Sequence, residues 1–133
     1  MSFKLAVISP RGIYFEKEVE SLTAKLTSGY RTILSKHAPL IGALAYAPMH
    51  IVENGKITYY AVHGGAISIK ENKVTLIVNS IECETEIDIE RAKAAKERAE
   101  QRLQKKDDIN IDVKRAELAL ARAIARIKTL ERN

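Results

Sequence analysis

The composition of the chain changes abruptly near residue 86, and this change constrains the fold more than any other feature. All seven aromatic residues, five Tyr and two Phe, lie before residue 61. From Asp88 onward there is no glycine and no proline, and the strong helix formers Ala, Glu, Lys, Arg and Leu dominate. A chain of 133 residues suffices for a small domain with an appendage. We therefore predict a β-structured domain over residues 1–85 and a helical region over residues 86–133.

Short segments rich in β-branched residues and separated by turn formers predict strands throughout the first region. Asn54-Gly55 separates two such segments and is a strong signal for a type I′ hairpin turn, because both central residues of that turn require positive φ. Residues 70–73 (Lys-Glu-Asn-Lys) separate a further pair in the same manner. Strands at this spacing predict an antiparallel β-sandwich or flattened barrel.

The helical region contains the same pattern twice, since residues 87–92 (IDIERA) align with residues 111–116 (IDVKRA). Asp88 and Asp112 occupy positions where an N-cap side chain accepts hydrogen bonds from the first helical turn. The intervening KKDDIN, residues 105–110, predicts the bend of an αα-hairpin. The predicted fold class is therefore α+β, an N-terminal antiparallel β-sandwich followed by a C-terminal antiparallel two-helix hairpin.

Arginine recurs at equivalent positions of the two predicted helices. At about 100° per residue, the arginines of each helix fall within a narrow arc, beside a seam of small residues that lets the helices approach closely. Two interpretations remain open: solvated side chains that pair with nearby glutamates, or guanidinium groups that bind a phosphate or carboxylate. The arginines are Arg91, Arg98 and Arg102 in the first helix and Arg115, Arg122 and Arg126 in the second; the seams are Ala92, Ala95, Ala99 and Leu103, and Ala116, Ala119, Ala123 and Ile127.

Charge distribution argues against a nucleic-acid partner. The formal net charge is +5, but residues 1–85 hold 9 basic and 7 acidic side chains and residues 86–133 hold 13 and 10, so neither region is a basic tail. The predicted hairpin also lacks the aromatic residues on which bases stack. An acidic protein surface is the better alternative partner for the arginines.

Other chemistries have little support in the sequence. No G-x-x-x-x-G-K-[ST] loop for ATP hydrolysis is present, and His37, His50 and His63 have no partner at metal-ligand spacing, so we expect structural roles for them and no metal site. The glycines that follow His63 predict a bulge or a close backbone approach. Cys83 is the one cysteine, which excludes an internal disulfide and fits a reducing compartment. No apolar run approaches the roughly 20 residues of a membrane span.

The sequence resembles the epsilon subunit of F-type ATP synthases, particularly its bacillus-like members, over the whole chain. The β half contributes VISPRGIYFEKEVESLTAK, HAPLIGAL and YYAVHGGAISIKENKVTLIVNS to this resemblance. In the helical half, Ile87, Asp88, Arg91 and Ala92 match the family's I/L-D-x-x-R-A nucleotide-binding motif, and RAELALARAIAR follows. The match is specific because the short motif comes directly after a predicted sandwich.

The resemblance implies a non-catalytic rotor subunit. Its sandwich would bind the gamma subunit and the ring of c subunits. Its hairpin would either fold onto the sandwich or extend toward the catalytic beta subunits and restrain ATP hydrolysis. ATP, alone or with magnesium, is the implied regulatory ligand, and no redox cofactor is implied. The implied location is the cytoplasmic face of the bacterial plasma membrane, with membrane contact only through the complex. The implied nucleotide-binding residues are Glu82, Ile87, Asp88, Arg91, Ala92, Arg98, Arg102, Arg115, Arg122 and Arg126.

One stretch departs from the family pattern. The usual turn reads G-E-x-G-I-L-P-x-H-x-P, whereas residues 29–39 here read GYRTILSKHAP, with Thr32 in place of a glycine and Ser35 in place of a proline. This loop lies outside the nucleotide motif. The alternative function is a structural rotor clamp whose hairpin binds an acidic protein surface and no nucleotide.

Overall fold

A computed structural model describes residues 1–131. Within that range, eight strands precede a short 3-10 helix and two α-helices, so the predicted α+β class is confirmed. The strands are β1 (Phe3–Ser9), β2 (Gly12–Val19), β3 (Ser21–Leu26), β4 (Gly29–Leu34), β5 (Leu40–Glu53), β6 (Lys56–Lys70), β7 (Lys73–Val78) and β8 (Ile81–Cys83); the 3-10 helix is Glu84–Glu86, and the α-helices are α1 (Ile89–Gln104) and α2 (Val113–Leu130).

The strands form a sandwich because β5 and β6 are long enough to belong to both of its layers. The order across the sheet is β2-β1-β7-β6-β5-β3-β4, and β8 pairs with β6. The C-terminal part of β6 pairs with β7, whereas Tyr60–Val62 of β6 pair with β8. All neighbours are antiparallel except β1 and β7, which are parallel. The side chains between the layers form the core, which includes Phe3, Leu5, Leu22, Ile33, Met49, Ile51, Ile67 and Leu76.

Both predicted hairpin turns are present. Asn54 and Gly55 have φ of 51° and 76°, and Glu71 and Asn72 have φ of 51° and 60°, as type I′ turns require. The predicted close backbone approach after His63 is also confirmed. A Cβ added to Gly65 would lie 2.1 Å from the carbonyl oxygen of Ile77 on β7, so only glycine fits there.

The connection between the two regions is more structured than the sequence suggested. From their sequence, NSIECETE, residues 79–86 are predicted only to connect the two regions. Ile81–Cys83 instead form β8, which extends the sheet beyond β6, and Glu84–Glu86 form the 3-10 helix. This strand lacked a sequence signal because three residues, Ile81-Glu82-Cys83, are too few to show an alternating pattern and fit a linker equally well. As a result, the side chain of Glu82 lies at a fixed position beside the sandwich.

The helices begin where the sequence predicts. Asp88 accepts hydrogen bonds from the backbone nitrogens of Glu90 and Arg91, and Asp112 accepts one from that of Arg115. α1 packs on α2, and α2 packs on β5 and β6, so α2 lies between α1 and the sandwich. No described helix is long and apolar enough to cross a membrane.

The predicted small-residue seam lies between the two helices, with four of its eight members buried and the other four half-buried, namely Ala95, Leu103, Ala119 and Ile127. Its members Ala92, Ala99, Ala116 and Ala123 are all at most 3% exposed. A second set of buried residues, Ala125 and Thr129, lies on the opposite side of α2 at 100° per residue, which is the side toward the sandwich.

Candidate anion-binding site between the hairpin and the sandwich

A cavity of about 610 Å³ lies where the start of α1, the end of α2 and β8 meet. Ligand sites commonly have volumes of about 300–1,000 Å³. Six of the ten residues that the family resemblance implied line this cavity. The lining residues are Glu82, Glu86, Asp88, Arg91, Ala92, Ala94, Ala95, Arg98 and Arg126.

Antiparallel packing explains which arginines meet at the cavity. It places the start of α1 beside the end of α2, as the 3.5 Å ion pair between Lys93 and Glu131 shows. Arg91 therefore lies near Arg126, although the sequence repeat aligns Arg91 with Arg115. α1 has 16 residues and is about 24 Å long at 1.5 Å per residue, so equivalent positions of the repeat are well separated.

Four residues of the implied set do not line the cavity. Arg102 lies beyond Arg98 toward the bend of the hairpin and is exposed, and Arg115 is exposed in the first turn of α2. Ile87 and Arg122 are half-buried. Three guanidinium groups, rather than the six suggested by the repeat, therefore converge at the cavity.

Glu82 connects the hairpin to the sandwich. Its Oε1 accepts hydrogen bonds from Nε of Arg126 at 2.6 Å and from Nε2 of His63 at 3.0 Å. Burial alone would raise the pKa of Glu82, but the hydrogen bonds from Arg126 and His63, together with their charges, hold it below its ordinary value. Glu82 is thus a carboxylate that neutralises Arg126 when the hairpin lies on the sandwich.

His63 is only 1% exposed. Burial lowers its pKa, the hydrogen bond with Glu82 opposes that effect, and the charges of Arg126 and Arg122 lower it further. A neutral imidazole beside an ionised carboxylate must donate through Nε2, which leaves Nδ1 as a bare acceptor. Nδ1 has no hydrogen-bond partner among residues 1–131. Sequence reasoning assigned His63 only a structural role, because its partners lie on β8 and α2, far away in the chain.

The other charged groups of the cavity differ in whether they already have hydrogen-bond or ion-pair partners within the protein. The carboxylate of Asp88 caps α1 through Oδ1. Oε1 of Glu86 accepts from the hydroxyl of Tyr14 and from the backbone nitrogen of Cys83, both at 2.9 Å. Arg91 and Arg98 form no ion pair within the described part of the chain. These two guanidinium groups are therefore available for an added anion.

A second cavity, of about 500 Å³, lies on the other side of the bridge between Glu82 and Arg126. It shares Glu82, Glu86 and Arg126 with the first cavity. In residues 1–131, no group of three or more His, Cys, Asp or Glu side chains has an arrangement that could hold a metal ion. The three arginines that line the first cavity are suited to an anionic ligand, and its carboxylates are suited to accept from donor groups on the same ligand.

Comparisons with known proteins agree with this two-part organisation. A family model described as the β-sandwich domain of the ATP synthase delta/epsilon chain matches residues 2–84. A second model, described as the long α-helix domain of the same chain, matches residues 85–131. Together the matches define a class of protein in which a β-sandwich precedes a long helical domain.

Curated relatives cover nearly the whole chain. The ATP synthase epsilon chain of Desulforamulus reducens is 41% identical over 128 residues, which are 96% of each protein. That of Bacillus cytotoxicus is 43% identical over 126 residues, which are 95% of this chain and 94% of the relative. The chain belongs to the family of ATP synthase delta and epsilon chains.

The fold also recurs in a solved assembly. A chain in the cryo-EM structure of the Euglena gracilis mitochondrial ATP synthase superposes with a TM-score of 0.83 at 21% identity. The alignment covers 93% of this chain and 78% of that chain. At this level of identity the likeness supports the fold alone.

Proposed function

We propose that the chain is a regulatory subunit of the central rotor of an F-type ATP synthase, without a catalytic site of its own, and that its hairpin binds ATP. Bound ATP favours the hairpin folded onto the sandwich, and the extended hairpin restrains ATP hydrolysis by the catalytic beta subunits. The observation that carries this proposal is the cavity in which Arg91, Arg98 and Arg126 meet at the start of α1.

The charges of the cavity suggest how ATP is oriented. Of the three arginines that line the cavity, Arg91 and Arg98 form no ion pair with another described residue, so they would bind the phosphates. The carboxylates of Glu82, Glu86 and Asp88 would accept from the amino or hydroxyl groups of the base and ribose. Any magnesium would enter bound to the phosphates, since residues 1–131 contain no group of three or more His, Cys, Asp or Glu side chains arranged to hold a metal ion.

An outer apolar row on the sandwich supports a role in the rotor. Ile13 pairs with Ile8, Ile8 with Ile77, Ile77 with Ala66, and Ala66 with Ala43, so all five lie on one face. Ile13 and Ile77 are 67% and 58% exposed. Contiguous exposed apolar surface is typical of protein–protein contacts. We assign this row to the gamma subunit and place the sandwich on the c ring, at the cytoplasmic face of the bacterial plasma membrane.

The internal repeat provides matched controls for a test of the nucleotide site. Arg91 and Arg115 each follow an N-cap aspartate by three positions, but only Arg91 lines the cavity. Arg91→Gln removes at least one charge-assisted hydrogen bond of about 1.5–3 kcal/mol and should weaken ATP binding by about tenfold or more. Arg115→Gln should change it less than twofold. Isothermal titration of the full chain with ATP, ADP and GTP measures both effects.

Absence of ATP binding by the wild-type chain at millimolar concentration would refute the nucleotide site. In that case the alternative, a rotor clamp whose arginines bind an acidic protein surface, explains the same residues. Equal losses in Arg91→Gln and Arg115→Gln would show that binding depends on the overall charge of the hairpin. A bound ligand at a hundredfold excess over Kd should add about 2.7 kcal/mol to stability, a rise in melting temperature on the order of 10 °C.

A further inference from the structure

His63 lies under α2, at the point where β6, β8 and the hairpin meet. The charged groups that face it are Glu82 from β8 and Arg122 and Arg126 from α2. From β5, the ring of Tyr46 approaches with its centroid 5.9 Å from that of the imidazole. One carboxylate therefore faces two guanidinium groups around a side chain that is 1% exposed.

We propose that His63 is a positioning residue that links protonation to the docking of α2 on the sandwich. The neutral imidazole holds Glu82 against Arg126, and protonation of His63 releases α2. This inference rests on the hairpin movement in the proposed function, but it does not depend on nucleotide binding.

Two physical costs accompany the added proton. A charged imidazole becomes a third cation beside Arg122 and Arg126, with Glu82 as the one carboxylate that faces it among the described groups. The proton itself lies on Nδ1, which has no acceptor within the described chain and is shielded from solvent. A buried donor without a partner destabilises the docked form even before the charge is considered. Undocking of α2 relieves both costs, because it moves the guanidinium groups away and uncovers the imidazole.

The direction of the pH effect follows from linkage. In the docked form, burial and the charges of Arg126 and Arg122 hold the pKa of His63 below its ordinary 6.5, and undocking removes those charges, so the docked form binds fewer protons than the undocked form. Docking stability is therefore fully present above pH 6.5 and is lost as the pH falls below it. One proton limits the change to tenfold per pH unit. If His63 has its ordinary pKa of 6.5 when undocked, the docking constant should fall by up to about tenfold between pH 7.5 and 5.5.

Glu82 does not contribute in this pH window. Its pKa is lowered in the docked form from an ordinary value of 4.5, so it is ionised in both forms above pH 5.5. Any loss of docking between pH 7.5 and 5.5 that disappears on substitution of His63 therefore comes from the imidazole. His63→Gln is the appropriate variant, because the amide nitrogen of glutamine replaces Nε2 as a donor to Glu82 and does not titrate.

The experiment uses the full chain with Cys83→Ser and two fluorophores, one at residue 31 on β4 and one at residue 117 on α2, both exposed positions. Urea titrations monitored by energy transfer yield the docking constant at each pH, even where the docked population is near unity. We expect up to about a tenfold decrease from pH 7.5 to 5.5 in this chain and less than twofold in His63→Gln. As a second measurement, the NMR titration midpoint of His63 should rise in Arg122→Gln.

Each other outcome is decisive. Docking that is independent of pH, or equally pH-dependent in His63→Gln, overturns the role of His63 and leaves ATP binding and hairpin movement intact. If energy transfer is lost only when the β-type circular dichroism signal is also lost, the hairpin and the sandwich unfold as one unit. That result would overturn both this inference and the proposed hairpin movement. Failure of ATP to bind, with pH-dependent docking intact, would overturn the nucleotide site alone.

Discussion

The bridge between Glu82 and Arg126 should be the strongest single polar contact between the hairpin and the sandwich. It can be tested with a double-mutant cycle of Glu82→Gln and Arg126→Met in the full chain. Glutamine retains the shape of Glu82 and can still accept from His63, and methionine retains the apolar stem of Arg126. The coupling energy then isolates the ionic hydrogen bond from the loss of packing.

The expected coupling energy follows from geometry and exposure. Nε of Arg126 lies 2.6 Å from Oε1 of Glu82, and the two side chains are 30% and 26% exposed. Charge-assisted hydrogen bonds contribute about 1.5–3 kcal/mol, whereas exposed ion pairs contribute about 0.2–1 kcal/mol. A contact that is largely shielded from solvent should lie near the lower end of the first range, at about 1.5–2 kcal/mol. Urea denaturation at pH 7.5 measures this energy, and each single variant should melt roughly 5 °C lower.

An exposed ion pair in the same hairpin is the matched control. Lys93 and Glu131 also join the start of α1 to the end of α2, at 3.5 Å, but their side chains are 53% and 54% exposed. Their coupling in Lys93→Met and Glu131→Gln should be no more than about 0.5 kcal/mol. If the two cycles gave equal couplings, or if the coupling of Glu82 with Arg126 fell below about 0.5 kcal/mol, burial would not be the source of the expected strength.

Three further predictions concern the fold and its boundaries. Residues 1–85 should fold alone and show a cooperative β-type melt by circular dichroism, since every strand within residues 1–131 ends by Cys83; an unfolded product would contradict a separable sandwich. Gly65→Ala should lower the free energy of unfolding in urea by more than about 3 kcal/mol, because its Cβ would lie 2.1 Å from a backbone oxygen and its φ is +138°. A loss below about 1 kcal/mol would refute that close approach. Asp88→Ala and Asp112→Ala should each lose about 1 kcal/mol of stability as N-caps, but only Asp88→Ala should also weaken ATP binding in calorimetry. Equal binding by both variants would remove Asp88 from the site.

Local features of the sequence determined most of the secondary structure, apart from β8 and the 3-10 helix that follows it. The Asn54-Gly55 turn, the N-caps at Asp88 and Asp112 and the change to helix formers after residue 86 each act over a few residues, so their effects do not depend on the rest of the fold. The alanine seam was also predictable, because the helical period alone places its members on one face. Burial of Ala99 and Ala123 at 1% and 0% exposure confirms that seam.

The composition of the candidate site depended on tertiary packing. The repeat makes Arg91 and Arg115 equivalent in sequence, but antiparallel packing reverses the order of the second copy, so Arg91 meets Arg126 instead. The resemblance to a family supplied Glu82 as a site residue, whereas its bond to Arg126 required β8, a strand of three residues that is too short to be recognised in advance.

The burial of His63 depends on the packing of α2 on the sandwich. Residue spacing along one chain does not show which distant side chains will enclose a given position. The sequence therefore determined two helices with arginine-bearing faces and a β-sandwich that precedes them. Only the packing of α2 between α1 and β6 decided that Arg126, Glu82 and His63 share one hydrogen-bonded cluster, because contacts between residues far apart in the chain arise from tertiary structure.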